Sequence, residues 1–155
     1  MASMTEDFKV RRARREDSKK IWVIRDAPEA RSVSHNQEPI PFLSHDAWFE
    51  NKYFKSDEHR CYVLVIRDEI YGYCRFDRGL EKGVFVVSIA LHPSYQGKGL
   101  GSRFLKEALA LFDLPGAMEA DVSITNAASL RLFEKLDFKK THEDGSYAYY
   151  KLERK

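Results

Sequence analysis

The chain has 155 residues, with 26 Lys and Arg against 24 Asp and Glu, 43% hydrophobic residues and 13% aromatic residues. At this length a single core buries roughly 70% of the surface of the unfolded chain, so neither disorder nor a need for metals or disulfides is expected. A net charge of +2 with both signs interspersed gives no broad basic field for nucleic acid, and no stretch reaches the ~18 apolar residues of a membrane span. Phe8 to Ala13 alternates weakly and predicts a first strand. Glu16, Asp17 and Ser18 then offer capping chemistry to a helix that carries Ile21, Trp22 and Ile24 and stops before Pro28. Pro28 to Pro41 reads as a loop of a length that is more often functional than idle. Ser44 is placed as the cap of a second helix bearing Trp48, Phe49 and Tyr53.

The period changes in the middle of the chain. Cys61 to Ile66 and Ile70 to Phe76 are β-rich runs separated by Arg67, Asp68 and Glu69, a hairpin pattern. Gly83 to Leu91 is a nearly continuous apolar run ended by Pro93, as expected of a central strand covered on both faces. From Gly101, the residues Phe104, Leu105, Ala108, Leu109 and Phe112 recur on one helical face, and Pro115-Gly116 closes that helix. Ala120, Val122 and Ile124 alternate with Glu119, Asp121 and Ser123 in a further strand. Asn126 and a helix with the inner stripe Ser129, Leu132, Phe133 and Leu136 follow, and Ser146 to Leu152 forms the last strand. The predicted order is β-α-α-β-β-β-α-β-α-β, a mixed sheet with helices on both faces.

Residues 1–155 are expected to form one domain, with a short leader at Met1 to Thr5 that has no apolar signal region, and the cytoplasm is the expected compartment. Cys61 and Cys74 have neither CxxC spacing nor clustered His, so they read as reduced thiols, and no metal site is expected. The basic run Arg11, Arg12, Arg14, Arg15, Lys19 and Lys20 reads as a solvated face.

The most specific chemical signal is Ser94-Tyr95-Gln96-Gly97-Lys98-Gly99-Leu100-Gly101-Ser102, between a buried strand and an amphipathic helix. Three glycines in five residues let the backbone approach a ligand closely, and the free amides of the following helix start suit a phosphate or pyrophosphate. It is not a P-loop, which needs GxxxxGK[ST]. Nor is it a dinucleotide fingerprint, because Gly97, Gly99 and Gly101 give GxGxG late in the chain.

On these residues the chain resembles the GNAT superfamily of acyl-CoA-dependent N-acetyltransferases from Val10 to Lys151. The signature P-x-x-Q/R-x-x-G-x-G/A is similar to Pro93, Gln96, Gly99 and Gly101. A second segment, N-x-x-A/S-x-x-L-Y/F-E-K-x-G-F, is similar to Asn126, Ser129, Leu132, Phe133, Glu134, Lys135 and Phe138. The resemblance implies an α/β (α+β) fold with a mixed, splayed sheet of about six to seven strands flanked by about four helices, and acetyl-CoA as acetyl donor. It implies that amides from Gly97 to Ser102 (Gly97, Lys98, Gly99, Leu100, Gly101, Ser102), beside Gln96, hold the CoA pyrophosphate. It further implies that the strand edge at Ile89, Ala90 and Leu91 pairs with pantetheine, while Asn126, Ser129 and Phe133 line the CoA arm. Family members often carry a tyrosine seven residues after the asparagine to protonate the leaving thiolate, whereas this chain has Phe133 there. Solvent, CoA itself and a group such as Ser129 are therefore the candidates for that role. For the base, His45 at a helix start and a water relay through Ser88 are the candidates.

Arg25-Asp26, Arg31, Ser34, His45-x-x-Trp48-Phe49 and Gly72-x-x-Arg75-Phe76 also look like the branch that acts on nucleotide-linked amino sugars. That likeness implies an acceptor pocket of Arg25, Arg31, His45, Trp48, Tyr73 and Arg75, with a small-molecule amine as partner and the protein as monomer or homodimer. Other acceptors stay open: a protein N-terminus, a lysine, a polyamine or another small amine. A CoA-binding module without catalysis and a nucleic-acid-binding module are the alternatives outside this chemistry.

Overall fold

The computed structural model describes residues 7–154, so the expected leader at Met1 to Thr5 lies outside the described residues. The strands are β1 (Phe8–Arg12), β2 (Arg60–Ile66), β3 (Glu69–Arg78), β4 (Val84–Leu91), β5 (Ala117–Ser123), β6 (Lys139–Glu143) and β7 (Tyr147–Leu152). The helices are α1 (Ser18–Arg25), α2 (Pro28–Arg31), α3 (Phe42–Tyr53), α4 (Leu100–Leu111) and α5 (Ala127–Lys135). One seven-stranded sheet in the order β1-β2-β3-β4-β5-β7-β6 results, as a mixed α/β fold. Every described neighbour pair is antiparallel except β4 with β5, which is parallel.

The alternation of the strands divides the core between the two faces of the sheet. Phe76, Phe85 and Met118 point to the face covered by Phe104, Leu105 and Ala108 of α4 and Phe133 of α5. Cys61, Val63 and Tyr73 point to the other face, against Ile21 and Ile24 of α1 and Phe49 and Tyr53 of α3. Phe49, Phe76, Phe85 and Phe104 are fully buried, and each burial stabilises the fold by about 2–3 kcal/mol. Cys61 and Cys74 are free and buried, and burial pushes both thiols up, so neither serves as a thiolate near neutral pH.

Three expectations are corrected. β6 was missed because KKTHE is polar and wholly exposed and so has no alternation, and only its ladder to β7 makes it a strand. α3 starts at Phe42 after Pro41 rather than at Ser44, since Pro41 sits in extended backbone and His45 N–H reaches its carbonyl at 3.1 Å. β4 is buried at Val84, Phe85 and Val87 but only half-buried from Ser88 to Leu91, so it is not covered on both faces throughout. The basic run is a solvated face as expected, with Arg12, Arg14, Lys19 and Lys20 exposed, and it also carries ion pairs: Arg11 with the buried Asp17 at 2.8 Å, Arg15 with Asp46 at 2.7 Å and Lys20 with Glu69 at 3.3 Å.

The proline-rich segment contains the single turn α2 and is fastened to α1 at several points. Trp22 Nε1 donates to the Ile40 carbonyl at 2.7 Å, and Ile40 N–H donates to Asp26 Oδ1 at 2.7 Å. Arg31 donates to the carbonyls of Asp26 and Gln37 at 2.9 and 3.1 Å. At its far side the imidazole of His35 stacks on Tyr147 of β7, with ring centroids 4.0 Å apart, and its Nε2 lies 3.7 Å from Asp121 of β5. The segment thus bridges from α1 to β5 and β7, across the sheet.

Candidate active site

Two walls meet along β4, and the first is continuous in sequence. β4 pairs with β5 only at Val84, Phe85 and Val86, opposite Ala117, Met118 and Glu119. From Val87 to Leu91 the ladder continues on the β3 side alone, so the edge of β4 that faces β5 opens there. Beyond it, Pro93 to Tyr95 form a 3-10 turn capped by the His92 side chain, which accepts from Ser94 N–H at 3.1 Å. Gln96 Nε2 donates to the Leu91 carbonyl at 3.1 Å and holds the turn against the strand end. Gly97 and Gly99 adopt φ of +74° and +73°, and a Cβ on either would meet nothing within 4 Å. Left-handed backbone explains why both are glycine, and the space before them is open to a ligand. Gly101 differs: an added Cβ would lie 3.7 Å from Leu132, an ordinary contact.

Gly99 is the N-cap of α4 without a side-chain cap, and the first amides of a helix have no intrahelical partner. With the positive end of the helix dipole and the open space, this turn fits a pyrophosphate. The C-terminal end of α5 meets the start of α4, while the start of α5 is closed by its own cap. Asn126 Oδ1 accepts from Ser129 N–H at 3.2 Å as its N-cap, and Lys135 Nζ of α5 reaches Ser102 Oγ of α4 at 3.4 Å. Phe133, expected along the CoA arm, is instead 3% exposed and packs in the core, 5.0 Å from Phe138 and 6.3 Å from Tyr150.

The second wall is assembled from α1, α3 and β3 on the opposite face of the sheet. Ser88 is registered against Arg75 and Ala90 against Tyr73, so all four share that face. The Trp48 indole carries three cations: the guanidinium carbons of Arg25 and Arg75 lie 4.1 and 5.1 Å from its centroid, and Lys52 Nζ lies 5.7 Å away. Arg75 Nη1 donates to Asp77 Oδ2 at 2.7 Å, Lys52 approaches that oxygen at 3.5 Å, and Tyr53 donates to Asp77 Oδ1 at 2.7 Å. Arg75 Nε is buried with no hydrogen-bond partner. Arg25 makes no ion pair among the described residues, and burial with the nearby Arg75 charge lowers its pKa.

His45 is not placed for base chemistry. It is 1% exposed, with Nε2 3.0 Å from the Ser18 carbonyl and Nδ1 3.2 Å from Arg25 Nη1. Nε2–H therefore donates, Nδ1 accepts, and neither nitrogen is left for a substrate. Burial, then the Arg25 charge, lowers its pKa to about 4, so it is a neutral group that positions Arg25. Arg31 is likewise spent on the carbonyls of Asp26 and Gln37 and staples the loop. Tyr73 is 6% exposed within the core cluster of this face, and burial raises its pKa.

Two carboxylates escaped the sequence reading. Glu119 shares the face of Val86, its partner on β4, and Asp121 is the next residue of β5 on that face. Asp121 thus stands across the open edge from Ser88. The alternation of Ala120 and Val122 with Glu119 and Asp121 fixed the side they occupy, but nothing local in the sequence showed that β4 and β5 part there.

Comparison with known proteins agrees with the fold. The profile of the Acetyltransferase (GNAT) family matches residues 11–138. An L-2,4-diaminobutyric acid acetyltransferase from Vibrio cholerae serotype O1 is 41% identical over 68 residues, which are 43% of this chain and 39% of that protein, so the matched part spans well under half of the relative. A putative acetyltransferase from Salmonella typhimurium, solved with its cofactor acetyl-CoA, superposes with a TM-score of 0.77 at 23% identity over 94% of this chain and 93% of its own. A spermidine N-acetyltransferase from Vibrio cholerae, solved with CoA and spermine, gives 0.78 at 14% identity over 94% of each chain. At these identities the structures speak for the fold, and the family match supplies the rest: the chain belongs to the GNAT acetyltransferase family, whose acetyl donor is acetyl-CoA.

Proposed function

We propose that this chain transfers an acetyl group from acetyl-CoA to a primary amine of a small molecule, directly, with both substrates bound together. The observation that carries this reading is the open β4 edge, with the Gly97–Ser102 turn at its end and the α1/α3/β3 wall beside it. The amides of Gly97, Lys98, Gly99, Leu100, Gly101 and Ser102 bind the pyrophosphate, and the strand edge at Ile89, Ala90 and Leu91 aligns the pantetheine arm along β4. Bound there, acetyl-CoA supplies a thioester: nitrogen bonds to the acetyl carbon and gives up a proton, the carbon–sulfur bond breaks, and the leaving thiolate takes up a proton to become the free thiol of CoA.

The protein's part in that proton traffic falls to few groups. Ser88, half-buried on the acceptor face, orders a water that takes the proton from the amine, and the carboxylate of Asp121 across the edge helps draw the incoming ammonium close. Ser129, in the first turn of α5, is the hydroxyl we assign to the CoA arm; Phe133 has no proton to give. Neither cysteine qualifies as an acyl-carrying nucleophile, since both are buried thiols.

Two acceptors are proposed within this class. Trp48 with Arg25 and Arg75 supports a nucleotide-linked amino sugar, by stacking and phosphate contact. The 41% identity over 68 residues to a diaminobutyrate enzyme supports a small diamino acid instead. The test is to follow acetyl-CoA consumption and the mass of the acetylated product across nucleotide amino sugars, diamino acids, polyamines and peptides. One of the small amines should turn over best, and a preference for peptides would remove the small-molecule reading.

A further inference from the structure

The charge around Trp48 is unbalanced. Arg25, Lys52 and Arg75 gather on one indole, and one carboxylate, Asp77, serves Arg75 and Lys52 together. The neighbouring imidazoles do not add anions and do not carry charge. His45 accepts from Arg25 and His59 Nδ1 accepts from Arg78 N–H at 3.0 Å, with burial lowering the pKa of each ring. Tyr53 and Tyr73 are held protonated by burial. Arg25 is thus a half-buried guanidinium with a neutral partner, and Arg75 keeps a buried Nε–H without an acceptor. Half-buried cations are normally compensated, and an unmade bond from a buried charged donor is expensive.

Resting on the transferase reading above, we infer that the acceptor amine carries an anionic group, a carboxylate or a phosphate, that seats on Arg25 and Arg75 beside Trp48 while its amine reaches the open β4 edge at Ser88. The anion supplies the oxygen that Arg75 Nε lacks and the counter-charge that Arg25 lacks. Charge-assisted bonds of this kind discriminate strongly, because an acceptor without the anion leaves the Arg25 charge without a counter-charge and the Arg75 Nε–H without an acceptor after desolvation. A polyamine fits poorly for the same reason: its ammonium groups would face three cations. The acceptor face is therefore polarised, cationic at α1, α3 and β3 and anionic across the edge at Glu119 and Asp121.

Matched pairs test this. 2,4-Diaminobutyrate and 1,3-diaminopropane differ by the carboxylate; a UDP-linked amino sugar and its free amino sugar differ by the nucleotide diphosphate. Initial rates with saturating acetyl-CoA should favour the anionic member of at least one pair by about tenfold or more in kcat/KM, and which pair it is separates carboxylate from phosphate. In Arg25→Gln, which keeps a donor for His45, that preference should fall to within about threefold while the KM for acetyl-CoA holds. Thermal shift on the same proteins provides a readout without turnover: the preferred anion should raise the Tm of the wild type and not of Arg25→Gln. Equal rates within both pairs, a preference for spermidine, or equal shifts in wild type and variant would overturn the inference and leave the transferase intact. Acetylation of none of these amines, with no acetyl-CoA binding, would instead remove the transferase reading on which it rests.

Discussion

The proposed donor wall and the proposed acceptor wall of this site are built in opposite ways. The first is one stretch of chain from Ser88 to Ser102, in which a strand edge, a turn with two left-handed glycines and a helix start follow one another. The second draws Arg25 from α1, Trp48 from α3, Arg75 from β3 and the His35 strap from the loop between. A site made of consecutive residues is fixed by local backbone geometry and tolerates little change. A site made of distant ones is fixed by packing and can be altered without disturbing its neighbour.

The sharpest break of that contrast is Gly99→Asp. It puts a side chain on backbone with φ of +73° and, above all, adds a negative charge at the proposed pyrophosphate seat. Acetyl-CoA affinity should fall by about a hundredfold or more in a folded protein, as calorimetry would read. Gly101→Ala, whose Cβ has ordinary room beside Leu132, should bind acetyl-CoA within about threefold of wild type.

A smaller effect separates positioning from catalysis on the acceptor side. His45 has a folded-state pKa of about 4, below its unfolded value near 6.5, so its contribution to stability is full above pH 6.5 and is lost as pH falls toward 4. Urea denaturation should show about 2–3 kcal/mol lost across that window, with a slope that flattens in His45→Gln. The same variant should leave the acidic limb of the kcat profile in place, because the ring is not the base. Disappearance of that limb would restore His45 to the chemistry.

Phe133→Tyr probes the donor side with a lesser change. The ring is buried against Phe138 and Tyr150, so a new hydroxyl should cost about 1 kcal/mol of stability without raising turnover. A gain of order a hundredfold would mean that the position reaches the thiolate after all. Smallest is His35→Ala, which removes the stack on Tyr147 and should raise the acceptor KM by a few-fold at most, since an exposed aromatic pair is worth about 1 kcal/mol.

The same division decides what the sequence disclosed. The glycine turn, the strand before it and the helix after it were legible because a left-handed turn and a 3.6-residue stripe are written in adjacent residues. Arg25, Trp48 and Arg75 could be named from the sequence, but not the fact that one indole carries both guanidiniums, which depends on how α1 and α3 cross β3. His45 and Arg31 misled for a related reason: a residue type suited to catalysis or phosphate binding does not show that its polar atoms are already used, at Ser18 and Arg25 for one and at Asp26 and Gln37 for the other. Glu119 and Asp121 were on the correct side of β5, yet their place at the open edge follows from where β4 and β5 part, which no local pattern encodes. β6 was hidden because an exposed edge strand needs no apolar alternation.

The central claim is that the two walls hold donor and acceptor at once around the β4 edge, with no acyl group passing through the protein. Initial velocities measured over a grid of acetyl-CoA and the best acceptor test it most directly. Reciprocal plots should give intersecting lines, the signature of a ternary complex, and a family of parallel lines, as an acetylated enzyme produces, would contradict it.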